Sequence, residues 1–339
     1  MSRKQVTYLE TGSTDPYYNL AFEDYVLANR RDGDYLILWQ NDNTIVIGRN
    51  QNAEAEINRR VVEERGIRVV RRQTGGGAVY HDLGNLNYSF ITDSGELETL
   101  SFSRFTAPVV RALRALGADA EASGRNDILV SGRKVSGTAQ RVLKDRVLHH
   151  GTLLYDSDPQ AVADALNVDP EKFRDKASKS VRSRIGNIRD YIRDPQMTLP
   201  EFWEYLKTAL GESQVVPGDL TEEEKELVRK LRDEKYATWA WNFGASPRFT
   251  MRRKRRFAGG SLEVLARVEK GRIREITFYG DFLATEPLEP VTEALRDCAF
   301  TKDAVGAILA RFRLQTAFGG ITKDEILQTI FEDPQTGEN

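Results

Sequence analysis

Residues 71–82 read Arg71-Arg72-Gln73-Thr74-Gly75-Gly76-Gly77-Ala78-Val79-Tyr80-His81-Asp82. A β-type run, Ile67-Arg68-Val69-Val70, leads into them, and a second, Leu86-Asn87-Tyr88-Ser89-Phe90-Ile91, follows. A strand therefore ends at paired arginines, crosses three glycines and returns through a turn at Asp82-Leu83-Gly84-Asn85. Adjacent glycines admit positive φ and carry no Cβ to hold a ligand off. Their N–H groups can converge on an anion, beside the planar, permanently charged forks of Arg71 and Arg72. The familiar phosphate loops do not fit. No Gly-Lys-Ser/Thr opens a helix here, and Tyr80 stands where a dinucleotide fingerprint needs its third glycine. A loose hairpin turn accounts for the glycines alone; the arginines before them and His81-Asp82 after them point to a site.

The chain of 339 residues exceeds the roughly 250–300 residues that one hydrophobic core serves. We expect a large unit over residues 1–246, a linker at 247–252 and a small unit over 253–339. With 40% hydrophobic and 29% charged residues the composition is that of a soluble globular protein. A formal net charge of −2 gives no global field toward nucleic acid or membrane. The start, Met1-Ser2-Arg3-Lys4-Gln5-Val6, shows no apolar signal region, and no run of about 18 apolar residues occurs, so a cytosolic protein is expected. One cysteine, Cys298, excludes an intramolecular disulfide and a cysteine-built zinc site. It also bears on mechanism. A thioester route needs a thiolate beside the substrate, and no cysteine precedes Cys298.

Along the chain, Gln5-Val6-Thr7-Tyr8-Leu9 reads as a first strand, and Asp15-Pro16 as the N-cap and first position of a helix. Tyr35-Leu36-Ile37-Leu38-Trp39 and Thr44-Ile45-Val46-Ile47-Gly48 read as a hairpin, and residues 53–64 as one helix stopped at Gly66. Residues 105–116 carry a helical pattern ending at Gly117. Residues 126–130 and 133–137 form a second hairpin signal, and 147–155 reads as the last strand of the sheet. The pattern then turns helical to about residue 234, with a capping-box start at Thr198-Leu199-Pro200-Glu201. Past a junction near residues 242–256, runs 261–268 and 272–279 alternate about Gly271, and three helical stretches finish a small α+β unit. Trp239 and Trp241 are expected to pack at the joint. The basic run Arg252-Arg253-Lys254-Arg255-Arg256 reads as a solvated linker or edge, with an acidic partner or nucleic acid as the alternatives.

Two further constellations carry chemistry. Gly124-Arg125-Asn126-Asp127 precedes Gly132-Arg133-Lys134-Val135-Ser136-Gly137-Thr138-Ala139-Gln140, where Lys134 follows a tight turn among small residues and could reach a ligand without crowding. A solvated hairpin lysine is the plain alternative. His149-His150-Gly151-Thr152 lies on a strand, and with His81 it accounts for every histidine in the chain. No carboxylate at ligand spacing accompanies them, so no zinc site is expected.

Together these strings resemble the lipoate–protein ligase family in its bacterial two-domain form. The resemblance rests on Arg-Arg-x-Thr-Gly-Gly-Gly-Ala-Val-Tyr-His-Asp, the Gly124–Asp127 string, the Arg133–Gly137 turn and His149-His150-Gly151-Thr152-Leu153. Ser180-Val181-Arg182-Ser183-Arg184 and Trp241-Asn242-Phe243-Gly244 extend it over essentially the whole chain. It implies an α+β fold: a large domain with a mixed or antiparallel sheet flanked by helices, then a small C-terminal α+β domain. It implies activation of lipoate by MgATP to lipoyl-adenylate, then transfer to a lysine of a lipoyl carrier domain. The carriers would be the glycine-cleavage H protein and the E2 subunits of 2-oxoacid dehydrogenases; nucleic acid and membrane are not expected as partners. Carried over, Arg72, Gly75, Gly76, Gly77, Ala78, Val79, Tyr80 and Asp127 face the nucleotide. Lys134 holds both acyl carbonyl and phosphate as the catalytic residue, and Trp39, Arg72, His81, Lys134 and His150 hold lipoate. An apolar tunnel for the tail would take Trp39, Val46 and Val79. Alternatives are an octanoyl or lipoyl transferase on the same scaffold, which needs the missing cysteine, and a lipoate or carrier-binding protein without turnover.

Overall fold

The computed structural model describes residues 5–95, 101–124, 126–166, 184–211, 215–243, 251–269 and 271–332. Its strands, in chain order, are β1 (Val6–Glu10), β2 (Asp34–Trp39), β3 (Thr44–Ile47), β4 (Arg68–Arg71), β5 (Val79–His81), β6 (Asn85–Asp93) and β7 (Ala120–Ser123). They continue as β8 (Asp127–Val130), β9 (Arg133–Leu143), β10 (Arg146–Leu154), β11 (Val215–Pro217), β12 (Met251–Phe257), β13 (Gly260–Glu269) and β14 (Arg272–Gly280). A mixed eight-stranded sheet runs β11-β1-β2-β6-β10-β9-β8-β7. The β11-β1-β2 edge is parallel and the rest antiparallel. A smaller sheet, β4-β3-β5, stands beside it, and β12-β13-β14 form a third. This is the expected α+β architecture, with a helix-flanked sheet and a separate small antiparallel one.

The large sheet is covered on both faces. Helices Phe102–Ala115 and Leu199–Leu210 pack on one, around Tyr88, Val109, Leu113, Tyr155, Phe202 and Leu206. Helices Pro16–Asn29 and Glu222–Leu231 pack on the other, around Leu20, Phe22, Ile37, Trp39 and Val228. The helix starts follow the sequence signals. Asp15 caps through its side chain to the Tyr17 N–H with Pro16 next, and Thr198 with Glu201 forms a reciprocal capping box.

Four expectations are corrected. β2 and β3 are not a hairpin: β2 pairs with β1 and β6, whereas β3 pairs with β4 and β5 in the other sheet. Asn43 at φ 42° and buried Asn41 turn the chain out of the large sheet, and both strands are buried almost throughout, so neither shows a solvent-facing alternation. Residues 53–64 hold two helices, Ala53–Glu56 and Arg59–Glu64. They break because Ile57 bridges to Leu166, and Asn58 caps the second through the Val61 N–H. β10 is not the last strand: β11 returns to the sheet edge beside β1. Trp239 is exposed and, among the described residues, stacks on Phe243, whereas Trp241 packs inward, its indole N–H donating to the Arg71 carbonyl at 2.9 Å.

The small unit has its own core around Leu262, Val264, Phe278, Phe282 and Phe318. The basic run is its edge strand β12, in which Arg252 pairs with Glu263 and Arg256 lies 3.5 Å from Asp281. Met251 and Arg252 already belong to that strand, and residues 244–250 lie outside the described ones. The segment after β14 meets the large unit. The Gly280 N–H donates to the Asn50 carbonyl at 2.5 Å, and the Val142 N–H to that of Thr285 at 3.2 Å.

Phe202 is fully buried and stacks on Tyr155 with ring centroids 4.5 Å apart. Phe202→Ala should cost about 3–5 kcal/mol. Leu227→Ala, at a side chain that is 52% exposed, should stay within about 0.5 kcal/mol of the parent. Equal midpoints in urea for the two variants would contradict this packing.

Candidate functional site

A cleft with about 580 Å³ of empty space, part of it open to solvent, crosses the large sheet on the face that carries helix Pro16–Asn29. Its floor follows the register. Trp39, Asn87 and Thr152 lie opposite one another in one row, and His150 and Ala139 in the next row of the same face, so the floor runs from β2 through β6 and β10 to β9. Three inter-strand spacings make that span roughly 14 Å. Leu20, Val46 and Val79 line it together with Trp39, which makes the β2 end apolar. His149, the neighbour of His150, alternates to the opposite face and stacks on Phe105 at 4.8 Å, away from the cleft.

Lys134 stands at the other end with Asn126, Gly137 and Thr138. On β9 the cleft-facing positions are odd-numbered, Gly137 and Ala139, so simple alternation would send an even-numbered side chain into the opposite core. The pairing slips between Ile128 and Leu129: Ile128 faces Ser136, but Leu129 faces Lys134. Val135 is therefore surplus and buried in the opposite core, and this β-bulge turns Lys134 onto the cleft face. Ser131 and Gly132 close the hairpin with φ of 50° and 76°, the conformation a two-residue connection demands. The Lys134 ammonium lies 2.7 Å from Asp127 Oδ1. A Cβ on Gly137 would come within 2.9 Å of it, so the glycine keeps the lysine's path open.

The glycine bend forms the roof, contributing Gly76, Gly77, Ala78 and Val79 with Arg72 and His81. Gly76 takes φ 92°, and a Cβ on Gly48 would sit 2.0 Å from the Gly76 carbonyl oxygen, so the bend closes only against glycine. Arg72 is buried. Its guanidinium donates to the carbonyls of Gly75 (2.7 Å), Gly77 (2.8 Å) and Val46 (3.2 Å) and to Thr74 Oγ1 (3.0 Å). Arg71 donates to the carbonyls of Gly48, Arg49, Gln51, Trp241 and Asn242. Burial pulls both guanidinium groups down to about 10. Among the described residues neither has a carboxylate at its nitrogens.

A buried chain of hydrogen bonds joins the apolar end of the cleft to the glycine bend. Trp39 Nε1 donates to Ser89 Oγ at 2.8 Å, and Ser89 Oγ donates to Glu23 Oε1 at 2.6 Å. His150 Nδ1 lies 2.9 Å from the same oxygen, and its Nε2 lies 2.8 Å from Thr74 Oγ1, which Arg72 also reaches. Beside it Asp24 gathers Arg141 (2.6 Å), Lys235 (2.9 Å), the Tyr236 hydroxyl (2.9 Å) and Gln73 (3.2 Å). Burial pushes the Asp24 carboxyl up, but Lys235 and Arg141 outweigh it and hold it below the usual range. His81 is pulled down to about 3, first by burial and then by Arg72 and His150, so its ring is neutral.

Of the residues singled out from sequence, Trp39, Arg72, Gly76, Gly77, Ala78, Val79, His81, Lys134 and His150 line this one cleft. Three do not. Gly75 packs against the small unit, where a Cβ would meet the Phe282 oxygen at 2.6 Å and the Ala284 nitrogen at 2.7 Å. The Tyr80 hydroxyl donates to Asn43 Oδ1 at 3.0 Å, and Asp127 meets the site through Lys134. Arg125 and residues 180–183 lie outside the described ones. Sequence reasoning missed Glu23, Ser89 and Thr74. Glu23 left a signal, a carboxylate on the buried stripe of Leu20, Ala21, Phe22, Val26 and Leu27. Among the described residues no group of three or more His, Cys, Asp or Glu side chains could hold a metal.

Residues 15–211 match the model of the lipoyl protein ligase A/B catalytic domain, and residues 246–330 that of the bacterial lipoate protein ligase C-terminus. Lipoate–protein ligase 1 of Staphylococcus aureus is 40% identical over 319 residues, covering 94% of this chain and 97% of that protein. The lipoate–protein ligase LplJ of Bacillus subtilis is 41% identical over 322 residues, with the same coverage of each. Among solved structures, P. falciparum LipL1 in complex with lipoate shares the fold at TM-score 0.77 and 23% identity, over 91% of this chain and 95% of that one. A lipoate–protein ligase A bound with ATP aligns at TM-score 0.61 and 30% identity, over 71% and 99%. The bipartite ligase of Thermoplasma acidophilum, described with its E2 lipoyl domain, aligns at 0.62 and 32%, over 74% and 100%. With the catalytic-domain match spanning more than half of its length and relatives at two-fifths identity along nearly all of it, the chain belongs to the lipoate–protein ligase family.

Proposed function

We propose that this protein activates lipoate with MgATP to lipoyl-adenylate and pyrophosphate, then passes the lipoyl group to a lysine of a lipoyl carrier domain with release of AMP. One observation carries the reading: a single cleft has an apolar end at Trp39, Val46 and Val79 and, across four strands, a lysine beside a glycine bend over buried arginines. The apolar end takes the acyl tail, at roughly 0.8 kcal/mol per buried CH₂. The carboxylate then lies at Lys134, where it meets the α-phosphate. Two anions repel at that point, and each cation about 4 Å away offsets roughly 4 kcal/mol in a partly shielded site. Lys134 is mobile enough to leave Asp127, because about a third of each side chain is exposed. It bridges carboxylate and phosphate in the first step and polarises the acyl carbonyl in the second. Arg72 contributes charge and shape: its fork holds the Gly75 and Gly77 carbonyls back, so the bend presents its N–H side. The magnesium ion arrives on the triphosphate, whose oxygens are its main ligands.

The transferase alternative finds no support, since Cys298 is half-buried in the small unit and no cysteine precedes it. Carrier domains of the glycine-cleavage H protein and of 2-oxoacid dehydrogenase E2 subunits are the proposed acceptors. We assign residues 1–246 to activation, 247–252 to a linker and 253–339 to an accessory domain, in the cytoplasm. No described helix is long and apolar enough to cross a membrane. The accessory domain swings between the two steps: the Phe282 carbonyl accepts from the Gly76 N–H at 3.1 Å, and that amide is free for phosphate only when the segment withdraws.

Lys134→Ala should keep the fold and lower lipoate-dependent pyrophosphate release by about 10²–10³-fold; normal release would remove Lys134 from the mechanism. Arg72→Lys keeps the charge but loses the fork, and should raise KM for ATP about tenfold or more while the lipoate dependence changes less. Small-angle scattering should change on adding a non-hydrolysable lipoyl-adenylate mimic; superimposable profiles count against the swing. Mass spectrometry of an apo carrier domain incubated with the protein, ATP, magnesium and lipoate tests the whole reading.

A further inference from the structure

At the apolar end of the cleft two donors lack partners among the described residues, Asn87 Nδ2 on the floor and a ring nitrogen of His81 on the roof. Trp39 Nε1 donates to Ser89, and both ring nitrogens of His150 are engaged, by Glu23 and Thr74. His81 is 2% exposed, and its Nε2 has no hydrogen-bond partner among the described residues. Its ring stands edge-on to Trp39, with centroids 6.3 Å apart, and lines the same end.

The hydrogen-bond chain behind His81 decides what that nitrogen carries. Asn19 Nδ2 donates to the carbonyls of Ser13 (3.0 Å) and Gln40 (2.8 Å), which fixes the orientation of its amide. The same nitrogen lies 2.9 Å from Asn41 Oδ1. Reversing Asn41 would set two amide nitrogens against each other, so Asn41 keeps its oxygen toward Asn19 and its Nδ2 toward His81. That Nδ2 donates to His81 Nδ1 at 3.1 Å. A neutral imidazole that accepts at Nδ1 carries its proton on Nε2. Burial and the nearby Arg72 keep the ring neutral. The cleft therefore holds a buried N–H donor beside its most apolar wall.

We infer that His81 selects the acyl substrate through this Nε2–H, favouring an acid whose tail ends in a sulfur acceptor, the cyclic disulfide of lipoate, over a plain alkanoate of the same chain length. This rests on the ligase reading above and sharpens its substrate. An alkyl tail leaves the donor unmade, and a buried unmade donor costs free energy. A ring sulfur is a weak acceptor that satisfies it without requiring a charged or strongly hydrated tail.

The test compares pyrophosphate release with lipoate and with octanoate at saturating MgATP. Asparagine places its amide where Nδ1 was, keeping the bond to Asn41, and glutamine reaches the Nε2 position. His81→Asn should lower the lipoate-to-octanoate ratio of kcat/KM by roughly 3–10-fold, the range of one net hydrogen bond. The change should fall on KM for lipoate, and His81→Gln should restore most of the ratio. Equal effects of His81→Asn on both acids would overturn the inference while leaving the ligase reading intact. No release with either acid from the unmutated chain would bring down both. Should His81→Asn fail to fold, long-range ¹H–¹⁵N correlation on the unmutated protein reads the tautomer directly, and a proton on Nδ1 would overturn the inference.

Discussion

Two guanidinium groups lie buried beneath the glycine bend with, among the described residues, only carbonyl and hydroxyl oxygens at their nitrogens. A charge taken out of water is costly unless it is well solvated by fixed dipoles. Here the chain itself supplies them, and this requirement shapes much around it. β4 must end where Arg71 can collect carbonyls from residues 48–51 and from the turn at Trp241 and Asn242. The bend must fold back so that Gly75 and Gly77 point their oxygens at Arg72. Carbonyl dipoles solvate a cation without cancelling its charge. The bend is left electropositive over buried cations, where an added anion is worth more than it would be in water.

The tail end and the phosphate end are not independent. Trp39, Ser89, Glu23, His150, Thr74 and Arg72 form one connected series, so the group that walls the acyl tail is tied through five contacts to the group that shapes the bend. Glu23 is the buried carboxylate in this series. It accepts from the Ser89 hydroxyl and from the His150 ring, which fixes the ring's orientation. The small unit closes on the same bend from outside, through Phe282 and Ala284. Occupation of the cleft, geometry of the bend and seating of the small unit therefore meet at Gly75 and Gly76.

Much of this was legible in the sequence, where the signal was local. The helix starts at Asp15 and Thr198, the Ser131-Gly132 turn and the glycine bend each declare themselves within a few residues. The site residues were legible because small residues, arginines and histidines interrupt strand patterns where packing alone would not ask for them. What was not legible depends on partners distant in the chain. β2 and β3 look like a hairpin because their separation suits one, but buried strands can pair on either side, and the choice is made by Asn41 and its contacts with Asn19 and His81. β11 is three residues long and finds its place only against β1. Thr74 and Ser89 are too common a residue type to be noticed until Glu23 and His150 are beside them.

Val135 carries no functional group, yet its burial keeps the ammonium on the cleft face. Drawn into the ladder opposite Leu129, Val135 would move into the cleft, and Lys134 would turn opposite Val130 among the side chains behind the sheet. Burying an unpaired ammonium is costly, so an apolar residue here locks the pairing. Selection at this position acts on polarity more than on shape: a charged residue would favour the slipped ladder and silence the protein while sparing every residue that touches substrate.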